Sequence, residues 1–169
     1  MQILGSMSSR LVEVNSRIKG SVDHRRSKIE HLYSALGFGQ LECLKIGAIY
    51  RLEGELSCEE IERISKEILC DSVTDSYSID SPLPDNKTFF VDIWYKKGVT
   101  DSVGISLLKA VKDIGIQHLS GASHGERILF HRAGENNGEA LEKKVIRFVS
   151  ENLLNPLVQE CKITGQFSQ

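Results

Sequence analysis

Apolar and polar positions along this chain predict a series of short elements whose order runs through twice. Leu11-Val12-Glu13-Val14 and Phe89-Phe90-Val91-Asp92-Ile93-Trp94-Tyr95 have the alternation and the β-branched and aromatic content of strands. Each runs into a Lys-Gly turn, and then an acidic residue, Asp23 or Asp101, stands where a helix would begin, suited to accept free backbone N–H groups of the first turn. Ile29, Leu32, Tyr33 and Leu36 fall at helical spacing, as do Leu107, Ala110, Val111 and Ile114, and predict amphipathic helices of about three turns. Gly37 and Gly115 end them, at the position where a left-handed backbone carries no Cβ penalty. A glycine-centred β-hairpin is expected next in each half, around Gly47 (41–46 with 48–53) and around Gly125 (117–123 with 126–131). Ser57-Cys58-Glu59-Glu60 is a capping box, followed by the stripe Ile61, Ile64, Ile68 and Leu69; Leu141, Val145, Phe148, Val149 and Asn152 form its counterpart. Strands over 73–79 and 158–163 close the two halves.

The sequence itself repeats. Lys19-Gly20-Ser21-Val22-Asp23 returns as Lys97-Gly98-Val99-Thr100-Asp101, Leu36-Gly37-Phe38 as Ile114-Gly115-Ile116, and Gly47 as Gly125, each 78 positions on. Residues 68–73 return at 153–158, 85 positions on, so seven extra residues fit a loop insertion around 131–138. A repeat this long describes a duplicated domain rather than a solenoid unit. The expected fold class is α+β: two tandem ferredoxin-like β-α-β-β-α-β units, residues 9–80 and 88–164, forming a pseudo-twofold pair. Residues 81–87 form the linker, stiffened by Pro82 and Pro84. Units of this size are marginal alone, and pairing is the expected remedy.

Composition narrows the function. A net charge of −2, from 21 basic and 23 acidic residues, gives no electrostatic footprint for nucleic acid or an anionic membrane. The cluster Arg25-Arg26-Ser27-Lys28 is too short to change that and reads as a solvated helix face. Cys43, Cys58, Cys70 and Cys161 have no CxxC spacing, the opening Met1–Ser6 is too short for a signal peptide, and no apolar run approaches a membrane span. Reduced thiols in a cytoplasmic protein are therefore expected.

No catalytic set emerges. His118, His124 and His131 share the second hairpin, but zinc would want closer spacing with cysteine or carboxylate support. Cys43 alternates with buried strand positions and Cys58 lies in a helix cap, so both are read as structural. Gly98-Val99-Thr100-Asp101-Ser102-Val103-Gly104 looks like a phosphate-cradling loop, yet it has two glycines and no Walker lysine; a strand-to-helix turn with Asp101 as its cap explains it better. No catalytic, cofactor-binding or metal residue is assigned.

It is at this loop that the chain resembles a family: PurS, the small subunit of phosphoribosylformylglycinamidine synthase. The second half carries the resemblance through Gly98, Val99, Asp101, Gly104, Gly115 and Gly125. The first keeps Gly20, Asp23, Gly37 and Gly47, but has His24 and Arg26 where the family motif favours Pro and Gly. A PurS subunit is typically one unit that dimerises; here the dimer would be written into one chain, as in the N-terminal domain of the large single-chain form of the enzyme. The resemblance implies a non-catalytic adaptor in purine biosynthesis that bridges a glutaminase (PurQ-like) subunit and an ATP-dependent synthetase (PurL-like) subunit for ammonia transfer. ATP and Mg would then belong to the synthetase, with none in this chain. Further self-association is left open. The alternative is an ACT-like ligand-sensing module, which uses the same topology and binds near the strand-to-helix loop between paired copies.

Overall fold

In a computed structural model, described over residues 8–17, 21–39, 41–132 and 138–165, ten elements follow one another. They are β1 (Ser9–Ser16), α1 (Ser21–Ala35), β2 (Leu41–Gly54), α2 (Cys58–Ile64), β3 (Asp75–Ile79), β4 (Thr88–Tyr95), α3 (Ser102–Asp113), β5 (Leu119–Arg132), α4 (Gly138–Asn152) and β6 (Gln159–Gly165). A π-helical turn, Ser65–Leu69, continues α2. The strands form one antiparallel sheet of six in the order β3-β1-β2-β5-β4-β6. The result is a mixed α+β fold consistent with ferredoxin-like architecture.

One expectation is overturned. The two hairpins do not exist: β2 and β5 are each a single strand of 14 residues, with Gly47 and Gly125 in their interiors. Neither glycine has a positive φ, and neither neighbourhood offers the Asn-Gly or Asp-Gly chemistry that a two-residue hairpin turn needs. Their lack of a side chain serves close packing instead. A Cβ on Gly47 would lie 2.3 Å from Asn15 Oδ1 and 2.8 Å from the Val14 carbonyl oxygen; on Gly125 it would lie 2.4 Å from the Ile93 carbonyl oxygen and 2.8 Å from Trp94 Cε3. Each half therefore contributes three strands, β-α-β-α-β, and the two long strands pair with each other from Leu41↔Arg132 to Gly54↔Leu119.

Register places all four helices on one face. Val91 pairs with Ile128 and Ile128 with Ile46; Ala48, two residues on, pairs with Val14. Beneath this face lie two cores, and each draws on both halves. Ile29 and Tyr33 of α1 pack with Val145, Phe148 and Val149 of α4 over Val91, Ile93, Ile128 and Phe130. Tyr33 meets Phe148 edge-on at 5.0 Å between ring centroids. Leu107 and Val111 of α3 pack with Ile61 and Ile64 of α2 over Val12, Val14 and Leu52. The first helix of each half thus covers a core whose second helix belongs to the other half.

The helix ends follow the sequence closely. Gly37 (φ 76°) and Gly115 (φ 89°) each sit just past a helix, and matched bonds close both ends: Gly37 N to Ser34 O and Phe38 N to Tyr33 O, Gly115 N to Lys112 O and Ile116 N to Val111 O. This is a Schellman motif, with Phe38 and Ile116 as its apolar partners. Ser57 and Glu60 form the expected reciprocal capping box.

The interior position of Gly125 leads to a test. Gly125→Ala should lower stability by about 1–3 kcal/mol through overpacking against Ile93 and Trp94, measured by urea denaturation. A neutral effect would be the signature of a turn tip.

Candidate functional site

The strand-to-helix loop that singled out the family resemblance is built around Asp101. Val99 N bonds the Lys96 carbonyl at 3.0 Å in a turn that Gly98 (φ 89°) permits. Asp101 caps α3, accepting from Gly104 N at 2.9 Å through one oxygen, while the other accepts from His124 N of β5 at 2.5 Å. One carboxylate therefore ties the helix start to the central strand. Gly104 is there because a Cβ would lie 2.5 Å from the Ala122 carbonyl oxygen. Gly98, Asp101 and Gly104 come together as a clamp between α3 and β5.

Of the other residues expected to matter, Gly20 lies outside the described residues. Helix α1 begins at Ser21, two residues ahead of Asp23, so Asp23 stands within the first turn rather than before it. The three histidines do not converge. His118 is exposed, 3.4 Å from Glu60 Oε1; His124 lies against Tyr50, the rings tilted with centroids 5.2 Å apart; His131 lies at the far end of β5, 3.4 Å from Glu42 Oε2. Thirteen extended residue steps separate the outer two, roughly 40 Å. Among the described residues, no group of three or more metal-ligating side chains comes together, and no helix is long and apolar enough to cross a membrane. Cys43 is fully buried, and that burial pushes its thiol up to about 12. Cys58 is exposed at the first residue of α2.

Sequence reasoning missed a buried ionic seam on the sheet face opposite the helices. Arg127 of β5 makes a bidentate pair with Asp92 of β4, both bonds at 2.7 Å, and lies 3.6 Å from Glu13 of β1. Lys45 of β2 bonds Glu13 at 2.7 Å and Asn15 Nδ2 donates to it at 3.0 Å. Glu13, Asp92 and Arg127 are all under 7% exposed. Burial works against the Arg127 charge, but the bonds to Asp92, with the Asp92 and Glu13 charges, overcome it and raise the guanidinium pKa further. Phe90 adds its ring, 4.1 Å from the guanidinium carbon. Two carboxylates and two cations drawn from both halves are thereby neutralised across β2 and β5. The signal was present: Glu13 and Asp92 are each a lone acid inside an apolar strand.

The geometry defines a class, an α+β domain whose single antiparallel sheet carries helices on one face and an ionic seam on the other. Residues 88–166, in the second half of the chain, match the PurS family, described as phosphoribosylformylglycinamidine (FGAM) synthase. No curated protein matches the chain.

Two measurements probe this site. Arg127→Ala takes from buried Asp92 its bidentate partner and leaves Glu13 with Lys45 and Asn15, and should cost about 3–5 kcal/mol in urea denaturation, whereas replacing Glu13, Asp92 and Arg127 together by Leu, Leu and Met should recover most of it. In thiol titration at pH 8 the native protein should expose Cys58 to a bulky disulfide reagent and withhold Cys43. Because the Cys43 pKa is raised on folding, its effect on stability is constant below about pH 9, the usual thiol value. It is lost between there and about 12. Cys43→Ala should flatten the fall in melting temperature over that range.

Proposed function

We propose that this chain is a non-catalytic adaptor of FGAM synthase, holding a glutaminase subunit against an ATP-dependent synthetase subunit so that ammonia passes between them. The match of residues 88–166 to PurS carries the reading. The first half has the same order of elements, the same Schellman ends and a long strand in the same place. We read it as a second, diverged copy, so that one chain takes the place of a PurS dimer. Ammonia at neutral pH is mostly protonated and not nucleophilic, and it reaches the synthetase intact only if the two sites are docked. A rigid sheet with two cores shared between its halves suits that task. ATP and Mg are assigned to the synthetase subunit, and the location to the cytoplasm.

A second reading, an ACT-like ligand sensor, draws on one observation. A cavity of about 370 Å³ adjoins the Lys97-Gly98-Val99 turn, with Trp94 and, from the other half, Arg51 in its wall. That volume is within the roughly 300–1,000 Å³ of small-ligand sites.

Reconstitution separates them. Omitting the chain should abolish glutamine-dependent amidine formation while high external ammonium still supports it, because the synthetase keeps its own ATP and substrate sites. Leu107→Asp, which buries an unpaired charge in the core shared by α3 and α2, should reproduce that split. Equal loss of both rates would mean that the chain completes the synthetase site; unchanged rates would favour the sensor.

A further inference from the structure

The turns that lead into β3 and β6 are the same device built from different residues. Asp75 N bonds the Asp71 carbonyl at 2.9 Å and Gln159 N the Asn155 carbonyl at 2.8 Å. In return Asp71 N bonds Asp75 Oδ2 at 3.1 Å and Asn155 N bonds Gln159 Oε1 at 2.9 Å. Val73 N donates to Asp71 Oδ1 at 2.8 Å, and Leu157 N to Asn155 Oδ1 at 3.1 Å. From just past the end of the neighbouring strand, β1 or β4, Arg17 N bonds Thr74 O at 2.7 Å and Lys96 N bonds Val158 O at 2.9 Å. The side chains of the same two residues reach the Ser72 and Pro156 carbonyls. Five hydrogen bonds recur, with the turn residues at a spacing of 84, which corrects by one the spacing of 85 expected from the sequence, while Arg is exchanged for Lys, Asp71 for Asn155 and Asp75 for Gln159.

At the tip of each turn stands an aliphatic side chain in water: Val73 is 81% exposed and Leu157 83%. One exposed aliphatic is ordinary on a protein surface. Here the framework residues have changed and the exposed aliphatic has stayed, in two turns held rigid enough that docking would order little further chain. Their positions also differ in a telling way. β3 and β6 are the outer strands of the sheet, and the alternating strand directions put their entry turns at diagonally opposite corners. Five strand spacings separate the two edges, roughly 24 Å.

Charge distinguishes the corners. The Val73 turn has Arg17 against Asp71 and Asp75, a net of −1, and the backbone N–H groups of Thr74 and Val73 hold the Asp71 carboxyl below its usual range. The Leu157 turn has Lys96 with the neutral Asn155 and Gln159, a net of +1. We propose that Val73 and Leu157 are docking knobs for two different protein partners: Val73 enters an apolar socket with a basic rim, and Leu157 one with an acidic rim. This rests on the adaptor reading and deepens it, because two turns of the same framework and opposite net charge, each presenting an aliphatic side chain at opposite corners, let one small chain hold two unlike subunits.

The test uses the full chain and the purified synthetase and glutaminase subunits of FGAM synthase, each measured separately for binding by calorimetry. Val73→Asp and Leu157→Asp should leave the melting temperature unchanged, since both sites face water. Each should weaken binding to one subunit at least tenfold, about 1.4 kcal/mol, with binding to the other within twofold, and the two variants should affect different subunits. If the unaltered chain binds neither subunit, the adaptor reading falls and the knobs with it. If it binds both and neither variant weakens either, the knobs alone are overturned. Loss of the same subunit in both variants overturns the assignment to two partners, as does a change confined to self-association of the chain in sedimentation.

Discussion

The pairing of β2 with β5 is the constraint on which the rest of the molecule depends. Twelve of the residues in each long strand find a partner in the other before the ladder ends in the shift at Glu53/Gly54. This seam is what joins the two halves into one sheet, and it brings β1 and β4 close enough for Glu13, Arg127 and Asp92 to share charge. A two-residue slip would keep the apolar faces aligned but would carry Arg127 away from Glu13, which rides with β1 on β2. Side-chain alternation alone leaves that slip open; the buried charges close it.

Above the sheet, the same pairing determines how the helices are shared. A three-stranded half has too little sheet to support both its helices, so α1 crosses to a core completed by α4, and α3 to one completed by α2. Substitutions such as Leu107→Asp therefore act on both halves at once, even though the residue belongs to one.

Much of this was legible in the sequence where the information is local. Helical spacing identified Ile29, Tyr33, Leu107 and Val111 as core residues, and Asp101, Ser57 with Glu60, Gly37 and Gly115 all mark ends whose hydrogen bonds close within a few residues. The hairpins were misread because a lone glycine between strand-forming residues looks the same whether it turns the chain or admits a neighbouring backbone. What decides between the two for Gly125 is Ile93 and Trp94, more than thirty residues away. Glu13 and Asp92 stood out as acids in apolar strands, but nothing nearby announced that Arg127 would reach both. Shared cores and a buried ionic seam are long-range facts, and periodicity does not encode them.

Carrying both three-stranded halves on one chain, joined by the connection between β3 and β4, changes the rules that govern the surface. Two identical subunits assemble only above a concentration set by their affinity, and whatever one presents the other must present as well. Tethered halves meet at an effective concentration that dilution does not alter. They are also released from symmetry: a substitution in one corner is not copied to the other. The −1 turn at Val73 and the +1 turn at Leu157 are an asymmetry that no dimer of identical subunits can hold.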